Sequence, residues 1–367
     1  MKLAELLSGI EIKEGCYDPE LEITGVSYDS RQTKPGEAFV AIPGFASDGY
    51  RFIPKALERG AAVVICEREP EQKTQYVQVV SCRRALARLG ANWFSHPADK
   101  MTMIGVTGTN GKTSITYLLK TVLEQTLGAK VGLIGTIQNM IGTEVIHTER
   151  TTPESFELQK LFAQMADAGC THCVMEVSSH ALVLHRADEI SFETGIFTNL
   201  TEDHLDFHKT MDAYCEAKAM LFTRCRHGVV NTDDAYAQKI MAHVAVERRK
   251  RLIIARAADD DLAAGDVAVV EGVHRLAVFD HDVVCNVDDV VDRADACRAK
   301  TLAHPLRRRR NLDVAHHARG VAQAQIVCRD LDVEKVGKHA FRAALDDRLM
   351  MMHGDVERSC RLARQTQ

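Results

Sequence analysis

The sequence predicts an α/β protein. A small N-terminal α/β domain, residues 1–98, is expected to precede a central domain, residues 99–320, with a mostly parallel sheet. Three observations predict this. Apolar, β-branched runs alternate with segments of helical periodicity as far as about residue 240. From Lys100 the alternation becomes regular, the pattern of a parallel sheet covered on both faces by helices. The stretch Met103-Ile-Gly-Val-Thr-Gly-Thr-Asn-Gly-Lys-Thr113 reads as a buried strand, a glycine turn and the start of a helix.

In chain order, residues 21–28 and 37–42 read as strands, with Pro43-Gly44 and Asp48-Gly49 as turns. Residues 52–59 read as a short helix closed by Gly60. Residues 61–66 and 76–80 suit buried strands, and residues 83–94 read as helical. Asp29, Ser30 and Arg31 follow a strand and offer a carboxylate, a hydroxyl and a guanidinium. They suit either a polar ligand or a solvated turn.

The turn at residues 108–113 reads as a phosphate cradle. Gly108 and Gly111 let the backbone approach an anion with its N–H groups turned inward. Lys112 adds a point charge for the outer phosphates, and the Thr113 hydroxyl suits Mg²⁺. The spacing departs from the general G-x-x-x-x-G-K-[ST] pattern. The helix that follows carries one apolar face: Ile115, Leu118, Leu119, Val122, Leu123 and Leu127.

Residues 131–136 read as the next strand and residues 138–147 as a hairpin or loop. Thr152 is expected to cap a helix that has Pro153 at its first position and runs to about Ala168, with Gly169 closing it. Residues 171–177 read as a strand delivering Glu176 near its carboxyl end, where a Mg²⁺-binding acid belongs. Residues 195–200 read as another strand. The loop beyond it carries Asp203, His204 and His208, spaced for zinc but with no cysteine or further histidine nearby. A Mg²⁺ or nucleotide role fits Asp203 and His204 better, because the loop belongs on the same sheet edge as the phosphates. Helix 211–222 carries Lys218, which by periodicity alone reads as a solvated charge.

Composition excludes several classes. A formal net charge of −5 gives no reason to expect nucleic-acid binding. No run of about 18 apolar residues exists to span a bilayer. Residues 1–14 do not read as a signal peptide. The 11 cysteines are scattered, and the Cys170/Cys173 pair reads as buried thiols, so the reducing cytosol is the expected compartment. Composition breaks near residue 223. The first 223 residues hold 9 of the 29 arginines, 7 of the 8 prolines and 17 of the 23 glycines. Turns draw on Gly and Pro for φ control, so residues 224–367 have an unusual makeup.

Taken together, five segments resemble the Mur ligases: Tyr28-Asp-Ser-Arg31, Thr107-Gly-Thr-Asn-Gly-Lys-Thr113, Thr151-Thr-Pro-Glu-Ser155, Met175-Glu-Val-Ser-Ser-His180 and Phe197-Thr-Asn-Leu-Thr-Glu-Asp-His-Leu-Asp206. The resemblance covers about residues 20–240. The nearest branch adds the third amino acid of the peptidoglycan stem peptide.

The resemblance implies an ATP-dependent ligase using Mg²⁺. It would join a free diamino acid, meso-diaminopimelate or L-lysine, to UDP-N-acetylmuramoyl-L-alanyl-D-glutamate through an acyl phosphate. Gly108, Thr109, Asn110, Gly111, Lys112, Thr113 and Ser114 would bind ATP. Thr113 and Glu176 would ligate Mg²⁺, His204 would support that site, and Lys218 would be a carbamylated lysine ligating a second Mg²⁺. Tyr28 and Ser30, with residues 45–47 nearby, would hold the UDP end. Thr151, Thr152, Ser178 and Arg186 would contact the muramoyl dipeptide. The resemblance also implies a cytoplasmic protein, and a monomer is the working expectation.

The chain departs from the family at Arg150, where Asn is usual, and at Leu184, where some members carry Gln. Residues 310–312 are the nearest shadow of a family Gly-Arg-Phe-Asn segment. Residues 321–367 are expected to be divergent, with the C-terminal Rossmann-like ligase domain absent or degenerate. The Arg- and His-rich runs at 307–310 and 316–317 then have no role. Two alternatives stand beside this reading: a truncated or frameshifted homologue that binds ATP and UDP-substrate without ligating, and a folylpolyglutamate-synthase-like ligase.

Overall fold

The structure, a computed structural model, describes residues 1–44, 48–148, 150–244, 251–255 and 267–271. The expectations on residues 45–47, 307–312, 316–317 and 321–367 lie outside the described residues. The chain forms two compact units. One comprises Met1–Thr102, Thr148–Gly169 and Val177–Ser191. The other comprises Met103–His147, Cys170–Glu176 and the described residues from Phe192 onward.

The first unit opens with α1 (Leu3–Leu6), β1 (Ile12–Cys16), β2 (Gly25–Ser27), β3 (Glu37–Val40), α2 (Ile53–Glu58), β4 (Val63–Cys66), β5 (Tyr76–Val79) and α3 (Cys82–Trp93). Its sheet has the order β1-β5-β4-β3-β2. β2 to β5 pair in parallel, and β1 adds antiparallel to β5. Every residue of β4 is buried, as a central parallel strand requires. α3 starts where the Ser81 side chain accepts from the Arg84 N–H. Its apolar face, with Leu86 and Leu89, joins Leu3, Leu6 and the strand residues Val63 and Ile65 in one core.

The chain then enters the second unit through β6 (Thr102–Thr107), α4 (Lys112–Leu127), β7 (Val131–Ile134), β8 (Asn139–Ile141) and β9 (Glu144–Ile146). It returns α5 (Ser155–Asp167) to the first unit, places β10 (His172–Glu176) in the second, and gives α6 (Ser179–Val183) to the first. The second unit continues with β11 (Phe192–Phe197), α7 (Leu205–His208), α8 (Met211–Ala219), β12 (Cys225–Asn231), α9 (Ala237–Val244), β13 (Arg251–Ala255) and β14 (Val267–Glu271). Nine strands run in the order β14-β13-β12-β11-β6-β10-β7-β8-β9. β13, β12, β11 and β6 are successively parallel, as are β10 and β7. The two sheet margins turn antiparallel.

β6 is the pivot of this order. β7 and β10 lie to one side of it and β11 and β12 to the other, so the chain's direction of travel reverses there. Ligands of open α/β sheets collect beyond the carboxyl ends of strands at such a point. The phosphate cradle leaves β6 at that end.

Most predicted elements are present with trimmed ends. The hairpin expected at residues 138–147 is β8–β9. Two expectations change and one strand is not foreseen. Helix α5 begins at Ser155 with Glu154 as its cap residue, not at Pro153 with Thr152. The Thr152 hydroxyl is bonded to Ser178, so it is not available to the helix end. Leu127 is exposed at the last position of α4, while Ile115, Leu118, Leu119, Val122 and Leu123 are buried. β1 escapes prediction because all five of its residues are exposed, so it leaves no alternating pattern. No described helix is long and apolar enough to cross a membrane.

Candidate functional site

The cradle has the backbone that its glycines imply. Gly108 (φ +146) and Gly111 (φ +83) both occupy the region that favours glycine. A Cβ on Gly108 would lie 1.9 Å from Thr198 Oγ1. Lys112 begins α4, so the first-turn N–H groups of Lys112, Thr113 and Ser114 have no partner inside the helix. The helix dipole adds partial positive charge there. Such a helix start is suited to an anion. The Lys112 ammonium folds over the loop and donates to the carbonyls of Gly108 (2.9 Å) and Thr109 (2.8 Å). Burial holds it below the ordinary lysine range, opposed by the charges of Glu176 and Asp203.

Glu176 is the last residue of β10 and is fully buried. Its Oε1 accepts from Thr113 Oγ1 at 2.9 Å and from the Thr136 N–H at 3.0 Å. Its Oε2 accepts from Thr136 Oγ1 at 3.0 Å. Gly135 makes room for it, because a Cβ there would meet Oε1 at 2.6 Å. Burying a polar group is costly unless it is so bonded. The hydroxyl and carboxylate oxygens form a hard donor set of the kind Mg²⁺ takes from a protein while phosphates and water complete its shell. Among the described residues no group of three or more His, Cys, Asp or Glu is gathered for a metal.

Lys218 corrects the reading from periodicity. It is 1% exposed and donates to the Gly108 carbonyl at 2.7 Å. Burial, followed by repulsion from Lys112, pushes its ammonium well below the ordinary range. Tyr214, one turn earlier on α8, explains how it is tolerated. The Lys218 ammonium lies 4.4 Å from the centre of the Tyr214 ring. The same phenol shares a 3.3 Å hydrogen bond with Thr109 Oγ1, and His208 stacks on its ring. His204, in a left-handed conformation, stands edge-on to Tyr214 with its Nδ1 3.5 Å from Asp203 Oδ1.

The residues expected to hold the sugar-peptide fall in the first unit. Ser30 and Thr152 are buried, and Thr151 is half-buried beside Thr152. Thr152 Oγ1 donates to Ser178 Oγ (3.3 Å) and accepts from the Ser178 N–H (3.2 Å). Ser178 Oγ caps α6 through the Ala181 N–H. Arg186 donates to the Thr152 carbonyl and pairs with Glu154 Oε1 at 2.7 Å. Arg150 and Arg83 converge on the same Glu154 carboxylate. Burial lowers the Arg186 pKa against the pull of Glu154. Tyr28 is half-buried, and burial and the nearby Glu157 push its phenol upward, so it keeps its proton. Asp29 and Arg31 pair with each other at the surface, which favours the solvated turn at that pair.

Sequence reasoning misses four contributors: Thr136, Glu154, Asn199 and Tyr214. Tyr214 carries a signal, its spacing of four residues from Lys218 on one helix face. Thr136, Glu154 and Asn199 are revealed by partners distant in sequence: Glu176, Arg186 and Asn110. Cys170 and Cys173 are free and buried, with thiols pushed up by burial.

Comparison with known proteins agrees with this architecture. The Mur ligase family catalytic domain matches residues 22–94, and the Mur ligase middle domain matches residues 106–287. The UDP-N-acetylmuramoyl-L-alanyl-D-glutamate–2,6-diaminopimelate ligase 1 of Clostridium acetobutylicum is 48% identical over 242 residues, 65% of this chain and 50% of that protein. The corresponding ligase of Clostridium tetani is 46% identical over 249 residues, 66% of this chain and 51% of that protein. A solved structure of a UDP-N-acetylmuramoyl-L-alanyl-D-glutamate–2,6-diaminopimelate ligase aligns with TM-score 0.62 at 25% identity, over 89% of this chain and 66% of that one. The chain spans about half the length of the curated relatives it matches. With both family domains matched in order on a shared fold, this chain belongs to the Mur ligase family.

Proposed function

We propose that the protein uses ATP and Mg²⁺ to join meso-diaminopimelate to the terminal carboxylate of UDP-N-acetylmuramoyl-L-alanyl-D-glutamate. One observation carries the reading: a glycine loop with Lys112 at the carboxyl end of β6, and Thr113 Oγ1 2.9 Å from the buried Glu176. The names of the relatives supply the substrates, including diaminopimelate rather than L-lysine.

A carboxylate is a poor acyl donor. Transfer of the ATP γ-phosphoryl group to it gives an acyl phosphate, which the incoming amine attacks as phosphate leaves. The first-turn N–H groups of α4 and Lys112 hold the triphosphate and offset its charge. Thr113 and Glu176 would hold Mg²⁺, which when bound supplies positive charge to the transferring group. Asp203 and His204 border this site. Lys218, buried and biased toward the free amine, is suited to attack carbon dioxide and lose a proton, leaving a carbamate that would serve as a further oxygen donor. Tyr28 and Ser30 would hold the UDP end, and Thr151, Thr152, Ser178 and Arg186 the dipeptide. The expected setting is the cytoplasm.

The test incubates the protein with UDP-muramoyl dipeptide, Mg-ATP and either meso-diaminopimelate or L-lysine, and follows phosphate and tripeptide. Phosphate release with tripeptide formation is expected with diaminopimelate. Glu176→Gln should lower kcat by about 10²- to 10³-fold, the scale of losing one group that stabilises transition-state charge. A second reading is binding of both substrates without ligation. Nucleotide and UDP-substrate binding without tripeptide would select it. No binding of either would overturn both.

A further inference from the structure

Resting on the proposed use of ATP, we propose that Asn199 is a positioning residue that clamps the phosphate loop and selects which of its N–H groups meet phosphate. Asn199 lies two residues beyond the end of β11, the strand parallel to β6. Its side-chain amide meets both the backbone N–H and the backbone carbonyl of Asn110. The Asn110 N–H donates to Asn199 Oδ1 at 2.9 Å, and Asn199 Nδ2 donates to the Asn110 carbonyl at 3.1 Å. The Asn199 carbonyl takes the Thr109 N–H at 2.8 Å. Two successive loop N–H groups are thus committed to one residue. The N–H groups of the first turn of α4 are left to face an anion.

The pairing needs a donor and an acceptor side by side, which an amide has and a carboxylate lacks. In Asn199→Asp the new oxygen would face the Asn110 carbonyl. Neighbouring bonds brace the clamp. Thr198 Oγ1 donates to the same Asn110 carbonyl at 2.6 Å, and the Thr198 N–H donates to the Thr107 carbonyl at 3.0 Å. Behind it, Asn231 Nδ2 donates to the Thr198 carbonyl at 2.8 Å, and Asp234 Oδ2 accepts from the Leu200 N–H at 2.8 Å. The loop's shape is therefore copied from the ends of β11 and β12. Gly108 can approach this segment only because it has no Cβ.

The test compares wild type, Asn199→Asp and Thr198→Val in the full chain. Thr198→Val removes one donor to Asn110 while keeping the side chain's shape. Hydrogen exchange of the Thr109 and Asn110 amides, read without nucleotide, should be about 10-fold faster in Asn199→Asp, since the carboxylate oxygen repels the Asn110 carbonyl and so opens the adjoining bonds, and losing one hydrogen bond costs on that scale. It should be raised less in Thr198→Val. KM for Mg-ATP should rise about 10-fold in Asn199→Asp, with KM for the UDP-dipeptide and the melting temperature near wild type. Unchanged loop exchange in both variants overturns the clamp. A wild type that exchanges slowly at these amides, loses that protection in the variants, yet binds no ATP would leave the clamp standing and overturn the nucleotide reading. Should Asn199→Asp not fold, unchanged exchange and unchanged ATP KM in Thr198→Val overturn the clamp.

Discussion

Lys112, Lys218 and Glu176 show what individual residues contribute. Two lysines converge on the Gly108 carbonyl, each depressed by burial, and the buried carboxylate at the end of β10 balances Lys112. In the first unit, Glu157 makes a comparable case for stability. Burial raises its carboxyl above the ordinary range, and its Oε2 has no hydrogen-bond partner among the described residues. The folded state therefore holds the Glu157 proton more tightly than the unfolded chain does. Below the unfolded glutamate value of about 4.3 both states are protonated and nothing is lost; above it, stability falls until the folded carboxyl also ionises. Glu157→Gln should melt with wild type near pH 4 and roughly 2–4 °C higher at pH 7, by calorimetry. An equal or lower melting temperature at pH 7 would contradict this.

At the scale of elements, the strand–loop–helix unit of β6 and α4 depends on contact with the end of β11. Gly108→Ala places a Cβ 1.9 Å from Thr198 Oγ1 on a backbone with φ +146. The loop must move, at a cost on the order of 1–3 kcal/mol. Fluorescent-nucleotide titration should show Mg-ATP binding lost, while circular dichroism retains the α/β spectrum. Retained affinity would mean that the loop tolerates displacement from β11. The α5 start teaches a related point. Pro153 and Thr152 carry the local features of a helix start, yet the pairing of Thr152 with Ser178 keeps the chain extended to Glu154. A tertiary bond outweighs a cap preference worth about 1 kcal/mol.

For the molecule as a whole, what is readable in sequence follows from how locally each feature is encoded. The Val63–Cys66 strand announces itself because every residue is buried; β1 does not because none is. Gly108, Gly111, Lys112 and Thr113 are near neighbours in the chain, so the cradle is readable, as is Glu176 at its strand end. The burial of Lys218 is not, since helical periodicity cannot see the Tyr214 ring and Gly108 carbonyl that hold it. Asn199 lies 89 positions from Asn110, and only the parallel pairing of β6 with β11 brings them together. The residues proposed for the nucleotide and those proposed for the sugar-peptide fall in different units, so substitution should separate the two bindings.

Calorimetric titration of Mg-ATP into wild type and Lys112→Ala tests the central claim most directly. Wild type should bind in a Mg²⁺-dependent way that excess EDTA abolishes. Lys112→Ala should bind about 100-fold more weakly, the scale of losing charge-assisted bonds to phosphate, while affinity for the UDP-dipeptide is unchanged. Equal ATP affinity in the two proteins would contradict the account.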